Sequence, residues 1–133
     1  MLALTRCRSR AVVAACLTAC LASAACTWPA PDRELQILTG GNPDEGPQRL
    51  RQHGCIACHT VSRMHDARGR VGPALDGVGG RTFIAGRLEN TPDNLVRWVR
   101  DARATVPGTA MPSLGVPDED ARDIAAYLYT LRD

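Results

Sequence analysis

The sequence contains no lysine: its 16 basic residues are all arginines, and they are matched by 14 acidic residues. Three of the arginines (Arg6, Arg8 and Arg10) lie within the first ten residues. The remainder of the chain has 13 arginines against 14 acids, a formal charge of −1. A chain so close to neutrality lacks the excess of positive charge that binds the phosphates of DNA or RNA. We therefore expect no nucleic-acid partner.

The sequence also lacks an apolar run long enough for a comfortable membrane span. The apolar run over residues 11–25 has about 15 residues, whereas a transmembrane helix needs roughly 20. Arginines before this run and small residues at its end are typical of a secretory signal peptide. We predict a signal peptide over residues 1–25 and an exported, periplasmic protein.

The body of the chain has too few cysteines for a disulfide framework. Four of the six lie in or beside the predicted signal peptide, and only Cys55 and Cys58 follow it. Residues 17–20 (LTAC) resemble the lipobox of bacterial lipoproteins, in which Cys20 becomes the lipidated first residue. Residues 23–26 (SAAC) make Cys26 a second candidate, and ordinary cleavage after residues 22–24 would give a soluble protein. A lipid anchor at Cys20, at Cys26 or at neither is left open.

Proline, glycine and helix-cap patterns divide the rest of the chain into a tether and a helical domain. We predict a flexible linker over residues 26–41 and a single domain over residues 42–133. The patterns predict three helices: Asn42 to about His53, with a start as late as Pro47 as the alternative; Asn94 to Ala102, after the cap Thr91; and Pro117 towards the C-terminus. Residues 66–90 contain six glycines and no apolar–polar alternation, which predicts a loop. The predicted fold class is all-α.

Aromatic residues are scarce, with two Trp, two Tyr and one Phe. Three short helices in a domain of about 90 residues bury little apolar surface. Such a domain gains stability when its side chains enclose a large apolar group. A haem would meet that requirement.

The motif Cys55-Ile56-Ala57-Cys58-His59 predicts one covalently attached haem c. Two thiols three positions apart on a turn can each form a thioether with a haem vinyl group, and His59 is then directed at the iron. One alternative is a thioredoxin-like dithiol, which needs strands that the sequence does not predict. Another is a zinc site completed by His53 and His65, whose spacing is unusual for zinc.

A second axial ligand to the iron must come from elsewhere in the chain. Beyond the signal peptide, Met64 and Met111 are the two thioethers in the sequence. Met64 lies shortly after His59, on the same side of the haem, and is interpreted as a packing residue. Met111 lies in a segment rich in proline and glycine, where no helix face would use it to fill a core. We predict coordination by His59 and Met111.

Several short segments occur in a characteristic order through residues 42–133: Gly46 and Leu50, CIACH, GPAL at 72–75, Gly80-Arg81, PGTAM at 107–111 and IAAYL at 124–128. Together they resemble class I cytochromes c of the short bacterial type. The resemblance implies a cytochrome c fold, in which three main helices and glycine-rich loops surround one haem.

The resemblance also implies roles for single residues. The Pro73 carbonyl would accept a hydrogen bond from Nδ1 of His59, and Arg81 would pair with a haem propionate. Trp98 would line the pocket beside Met111. Gly46 and Leu50 would let the first helix cross the last one against Tyr127.

The resemblance implies a one-electron carrier and not an enzyme, because iron held by two side chains has no free position for a substrate. The alternative is a haem enzyme or ligand sensor with a labile sixth site. Expected partners are a redox donor and acceptor in a respiratory chain: a quinol-side complex, a terminal oxidase or a periplasmic dehydrogenase. Mitochondrial members dock through lysines, which this chain lacks, so arginines would replace them. We expect a monomer.

Overall fold

The computed structural model describes residues 31–132, which form five helices, two 3₁₀ turns and one short hairpin. In chain order the elements are α1 (Pro31–Thr39), α2 (Gly46–Gln52), a 3₁₀ turn (Cys55–Ala57), a second 3₁₀ turn (Val78–Gly80), β1 (Phe83–Ile84), β2 (Leu88–Glu89), α3 (Pro92–Arg100), α4 (Ala102–Thr105) and α5 (Asp118–Thr130). Helices dominate, which confirms the all-α prediction. The predicted signal peptide, Cys20, Cys26 and residues 26–30 of the predicted linker lie outside the described residues.

The last helix, α5, is the centre of the domain. Ala121 and Ala125 are fully buried, and Ile124 is 1% exposed. Helices α1, α2 and α3 all pack against α5. Its first turn carries Asp118, Glu119 and Asp120, whose negative charge is favourable at the positive end of the helix dipole. The predicted helix after Pro117 is therefore present, and most of its length is core.

Ionic contacts and hydrogen bonds of charged side chains link α2 and its C-terminal end to α5. Nε of Arg49 lies 3.2 Å from Oδ1 of Asp120 and 3.4 Å from Oδ2 of Asp123. Nε2 of His53 lies 2.7 Å from Oδ2 of Asp120, and the backbone N–H of Asn42 donates to Oδ1 of Asp123 at 2.8 Å. Both aspartates are buried. Burial strengthens these interactions, because little water screens the charges.

Residues 31–39 form helix α1, so the prediction of a flexible linker was wrong for this segment. Leu35 is buried, and Nη1 of Arg122 on α5 donates to the carbonyl of Thr39 at 3.1 Å. A helix of nine residues is marginal in isolation. Contact with α5 supplies the missing stability, and no local pattern in the sequence reports that contact.

Within residues 31–132, no helix combines the length and apolar character needed to cross a membrane.

The other helix bounds differ from the predictions for local reasons. α2 begins at Gly46 and not at Asn42, because residues 42–45 form a turn ahead of Pro47. α3 begins at Pro92 after the cap Thr91, whose hydroxyl accepts from the backbone N–H of Asn94 at 3.3 Å. It ends at Arg100, because Asp101 caps the separate helix α4.

The glycine-rich stretch contains a hairpin that the sequence did not predict. Phe83 pairs with Glu89, and Ile84 pairs with Leu88, in antiparallel register. Strands of two residues are too short to show alternation, which is recognised over four or more. The turn places Ala85 and Gly86 at φ values of 50° and 67°.

Candidate functional site

A cavity of about 350 Å³ lies between the helices and the long loops of the domain. Its lining is mainly apolar and draws on residues between 50 and 128. A volume of this size lies within the range of small-molecule and cofactor sites. All seven site residues that the sequence indicated line this one cavity: Cys55, Cys58, His59, Pro73, Arg81, Trp98 and Met111.

A 3₁₀ turn presents the two thiols and the imidazole to the cavity. The turn starts after Gly54, which has a φ of 72°. The backbone N–H groups of Cys58 and His59 both donate to the carbonyl of Cys55, at 3.1 and 3.0 Å. Neither cysteine is paired in a disulfide. Burial raises the pKa of the Cys55 thiol above its usual value, so the neutral form is favoured.

The ring of His59 has a fixed orientation on one wall of the cavity. Its Nδ1 lies 2.7 Å from the carbonyl oxygen of Pro73. A carbonyl only accepts, so Nδ1 carries the hydrogen and donates it, which leaves the lone pair on Nε2. A Cβ at Gly72 would lie 2.4 Å from Cε1 of His59. Glycine at position 72 therefore allows the loop to pack directly against the ring.

Met111 reaches the cavity from the loop between α4 and α5. Its backbone N–H donates to Oγ1 of Thr109 at 3.3 Å, and Gly108 has a φ of 86°, in the left-handed region. The other candidate, Met64, is 4% exposed within the hydrophobic core. Met111, unlike Met64, is among the residues that line the cavity.

Arg81 and Trp98 reach the cavity from different elements. Arg81 follows the second 3₁₀ turn, and its Nη2 donates to the backbone carbonyls of Ala74 and Asp76 at 2.9 and 3.0 Å. Trp98 is half-buried on α3 and packs against the core. The resemblance alone did not indicate the contacts of Arg81 with backbone carbonyls.

Sequence reasoning missed Asn90 and the apolar rim of the cavity. Asn90 lines the cavity between β2 and α3 and bonds to Tyr129 of α5. Val71, Phe83 and Leu114 line its mouth and are 87%, 54% and 42% exposed. No motif or periodicity marks these four positions, because their roles depend on segments that are distant in sequence.

The zinc site that the sequence left as an alternative has no matching cluster of side chains in the described part of the chain. Within residues 31–132, no group of three or more His, Cys, Asp or Glu side chains is arranged to hold a metal ion. His53 is bound to Asp120 in the contact between α2 and α5.

Comparison with known proteins identifies the family. The sequence profile of the family described as "Cytochrome c" matches residues 44–132. The chain belongs to the cytochrome c family. Its motifs and its relatives place it among the class I c-type cytochromes, as the segment order predicted.

Two curated relatives of this cytochrome c differ in how much of their length it matches. It is 38% identical over 105 residues to "Cytochrome c2" of Rhodopila globiformis, covering 69% of this chain and 95% of that protein. It is 37% identical over 100 residues to "Cytochrome c oxidase subunit 2" of Alkalihalophilus pseudofirmus, covering 74% of this chain but only 28% of that subunit. The chain therefore matches about a quarter of the oxidase subunit.

A solved structure supports the cytochrome c fold. The crystal structure of SoxXA from P. pantotrophus superposes with a TM-score of 0.52 at 25% identity, covering 70% of this chain and 83% of that one. Together with the family match, this confirms the predicted fold. Haem-based electron transfer is the function of the family.

The lining of the cavity fits the covalent haem c that the cytochrome c family implies. The Cys55 and Cys58 thiols are free, His59 offers a nitrogen lone pair in a fixed tautomer, and Met111 offers a thioether. The remaining lining is mainly apolar, as a porphyrin requires. The donor set matches the nitrogen and sulfur ligands found in cytochromes c.

Proposed function

We propose that this cytochrome c is a one-electron carrier, with one haem c joined to Cys55 and Cys58 and its iron held by His59 and Met111. When bound, the haem supplies a redox centre that changes by one electron. The observation that carries the proposal is that His59 and Met111, on separate loops, line one apolar cavity. Two protein ligands leave no iron position for a substrate, which favours a carrier over an enzyme or a ligand sensor.

The Pro73 carbonyl supports the role of His59. Its hydrogen bond to Nδ1 fixes the tautomer and the plane of the ring, as outer groups do for metal-bound histidines. The same bond makes Nε2 a stronger electron donor. Arg81 remains our candidate for pairing with a haem propionate, and Trp98 for lining the cavity beside Met111.

Exposed apolar side chains at the cavity mouth support exchange of electrons with a protein partner. Val71, Phe83 and Leu114 surround the opening with apolar surface. Arginines, in place of lysines, provide the positive charge of the chain. A partner with an apolar patch and an acidic group opposite Arg81, which lines the same cavity, would match this combination.

We propose a periplasmic or membrane-surface respiratory chain as the setting, with a terminal oxidase as acceptor and a quinol-side complex or periplasmic dehydrogenase as donor. The similarity to part of a protein named "Cytochrome c oxidase subunit 2" supports an oxidase as acceptor. The proposed location includes a signal peptide over residues 1–25, with a lipid anchor at Cys20, at Cys26 or at neither left open. Mass spectrometry of the mature N-terminus would test both.

The optical spectrum of the purified holoprotein tests the ligand set. We expect the absorption band that methionine-to-iron coordination produces, and we expect Met111→Ala to remove it. Met64→Leu is the matched control and should keep the band, because Met64 lies in the core. A Met111→Ala spectrum identical to wild type, with rapid binding of carbon monoxide by both, would overturn the carrier and favour a labile sixth site.

A further inference from the structure

The side-chain amide of Asn90 donates both of its hydrogens to backbone carbonyls of one turn. Nδ2 donates to the carbonyl of Val78 at 2.8 Å and to the carbonyl of Arg81 at 2.9 Å. An amide NH₂ has two hydrogens. Asn90 lines the cavity but has no donor left for a cofactor. Its side chain therefore holds the protein chain in place.

Asn90 is itself held by the end of α5. The hydroxyl of Tyr129 donates to Oδ1 of Asn90 at 3.0 Å. The backbone N–H of Asn90 also donates to the carbonyl of Thr82 at 2.9 Å. These bonds fix the amide between a core helix and the turn that ends at Arg81.

Arg81 continues this series of contacts towards the histidine. Its Nη2 donates to the carbonyls of Ala74 and Asp76. Ala74 directly follows Pro73, whose carbonyl accepts the hydrogen bond of His59 at 2.7 Å. The guanidinium thus fixes the peptide groups that follow the acceptor of the His59 bond.

The opposite side of the same loop is tied to the haem-attachment segment. The N–H of Gly72 donates to the carbonyl of Cys58 at 2.8 Å, and the N–H of Leu75 donates to the carbonyl of Thr60 at 3.0 Å. These two bonds hold the loop close to the turn. On the other side, Arg81 holds the carbonyls of Ala74 and Asp76, and Asn90 fixes the backbone of Arg81.

We propose that Asn90 is a positioning residue for His59, acting through Arg81 on the loop that carries Pro73. The inference rests on the proposed function, in which His59 is the proximal ligand. Loss of both amide donors leaves the carbonyl of Arg81 without this partner, while the carbonyl of Val78 keeps only the backbone N–H of Arg81 at 3.2 Å. The backbone of Arg81 is then held less firmly, and so are the carbonyls of Ala74 and Asp76 that its guanidinium binds. The bond from Nδ1 of His59 to Pro73 opens more often as a result.

The experiment measures how fast the Nδ1 hydrogen of His59 exchanges with deuterium, by NMR of the holoprotein. The exchange rate of this hydrogen reports local opening of its bond to Pro73 separately from global unfolding of the protein. We expect Asn90→Ala to accelerate this exchange by about tenfold, and Asn90→Ser, which retains one donor, to give a smaller acceleration. Asn90→Ser also keeps the test valid if Asn90→Ala does not fold.

Two control variants separate positioning from general loss of stability. Asp123→Asn weakens the contact between α2 and α5, away from the cavity, and should leave the His59 exchange unchanged under conditions where the protein stays folded. Tyr129→Phe removes the bonds to Oδ1 and to the carbonyl oxygen of Asn90 but leaves both Asn90 donors, so its acceleration should be smaller than that of Asn90→Ala. Equal acceleration in all of these variants would overturn the inference.

A double-mutant comparison tests the route through Arg81. Arg81→Ala should also accelerate the exchange, and the Asn90→Ala/Arg81→Ala double variant should be little faster than the faster single variant, because both changes release the same loop. Effects that multiply would overturn this route. Failure of the proposed function would differ, because the wild type itself would then lack the strongly shifted imidazole signals of an iron-bound His59.

Discussion

Gly46 of α2 lies directly against Tyr127 of α5. A Cβ added at Gly46 would lie 2.1 Å from Cβ of Tyr127 and 2.9 Å from the carbonyl oxygen of Asp123. Both distances are far below van der Waals contact, and neither atom is at the end of a flexible side chain. Only glycine therefore permits α2 and α5 to cross this closely, and Leu50, one turn further along α2, is 1% exposed at the cavity wall.

Gly46→Ala should destabilise the protein by about 1–3 kcal/mol, the usual cost of overpacking a close contact. The measurement is the free energy of unfolding by denaturant. Gly115→Asn is the matched control, because Gly115 has a φ of 66° with no atom within 4 Å of an added Cβ, and asparagine tolerates that conformation. A Gly46→Ala variant no less stable than this control would contradict the crossing described here.

Asp123→Asn should destabilise the protein by about 1–3 kcal/mol, because a buried charged acceptor is replaced by a neutral one. The amide oxygen can still accept from the backbone of Asn42, but the ionic contact with Arg49 is lost. Chemical denaturation measures the effect. Asp93→Asn on the exposed side of α3 is the control and should change stability little. Equal effects of the two substitutions would argue against a buried ionic contact.

Alkaline pH should weaken the fold through Tyr127 and Tyr129. Burial raises the pKa of both phenols above the usual value of about 10. A raised pKa means that the folded state binds the proton more tightly, so the stabilisation is complete below about pH 10 and is lost as the pH rises through the folded-state pKa. Phenolate absorbance during a pH titration should show both groups ionising late.

Each tyrosine can be tested separately. Tyr127→Phe and Tyr129→Phe should each remove one late-ionising group and make the alkaline loss of stability shallower. Tyr129→Phe should also cost about 0.5–1.5 kcal/mol at neutral pH, because its hydrogen bond to Asn90 is lost. Ionisation of both groups at or below pH 10 would contradict their burial.

Ala85→Asn should stabilise the protein by about 0.5–1 kcal/mol, because asparagine adopts positive φ more readily than alanine. Ala85 has a φ of 50° in the turn of the hairpin and is exposed at the edge of the cavity, so the asparagine side chain can extend into solvent. Thermal or chemical unfolding measures the gain. The opposite effect is expected for Gly86→Ala, because it places an alanine at a φ of 67° and should lower the stability. A gain in stability from Gly86→Ala would refute the explanation.

Local sequence signals predicted the parts of the site whose geometry is local. The cysteines and His59 lie on one short turn, closed by hydrogen bonds to the carbonyl of Cys55. The caps Thr91 and Pro117 marked the starts of two helices to within a few residues. Met111 was indicated by its proline- and glycine-rich surroundings. These features need only neighbouring residues, which the sequence displays directly.

Helix α1 shows where local signals were insufficient. Residues 31–39 have a composition that also suits a tether, and their helix forms because Leu35 is buried in the core and the Thr39 carbonyl accepts a hydrogen bond from Arg122 of α5. The hairpin at Phe83–Ile84 and Leu88–Glu89 is similarly too short to have a pattern of its own.

The sequence by itself determined the family, the covalent haem motif and the all-α class, because each depends on residue types at short and fixed spacings. Only the tertiary structure decided that Asn90 joins Tyr129, 39 positions away, to the turn at Arg81. It also decided that α1 is part of the domain. The physical reason is the same in both cases: these hydrogen bonds and apolar contacts form between segments that come together only when the chain folds.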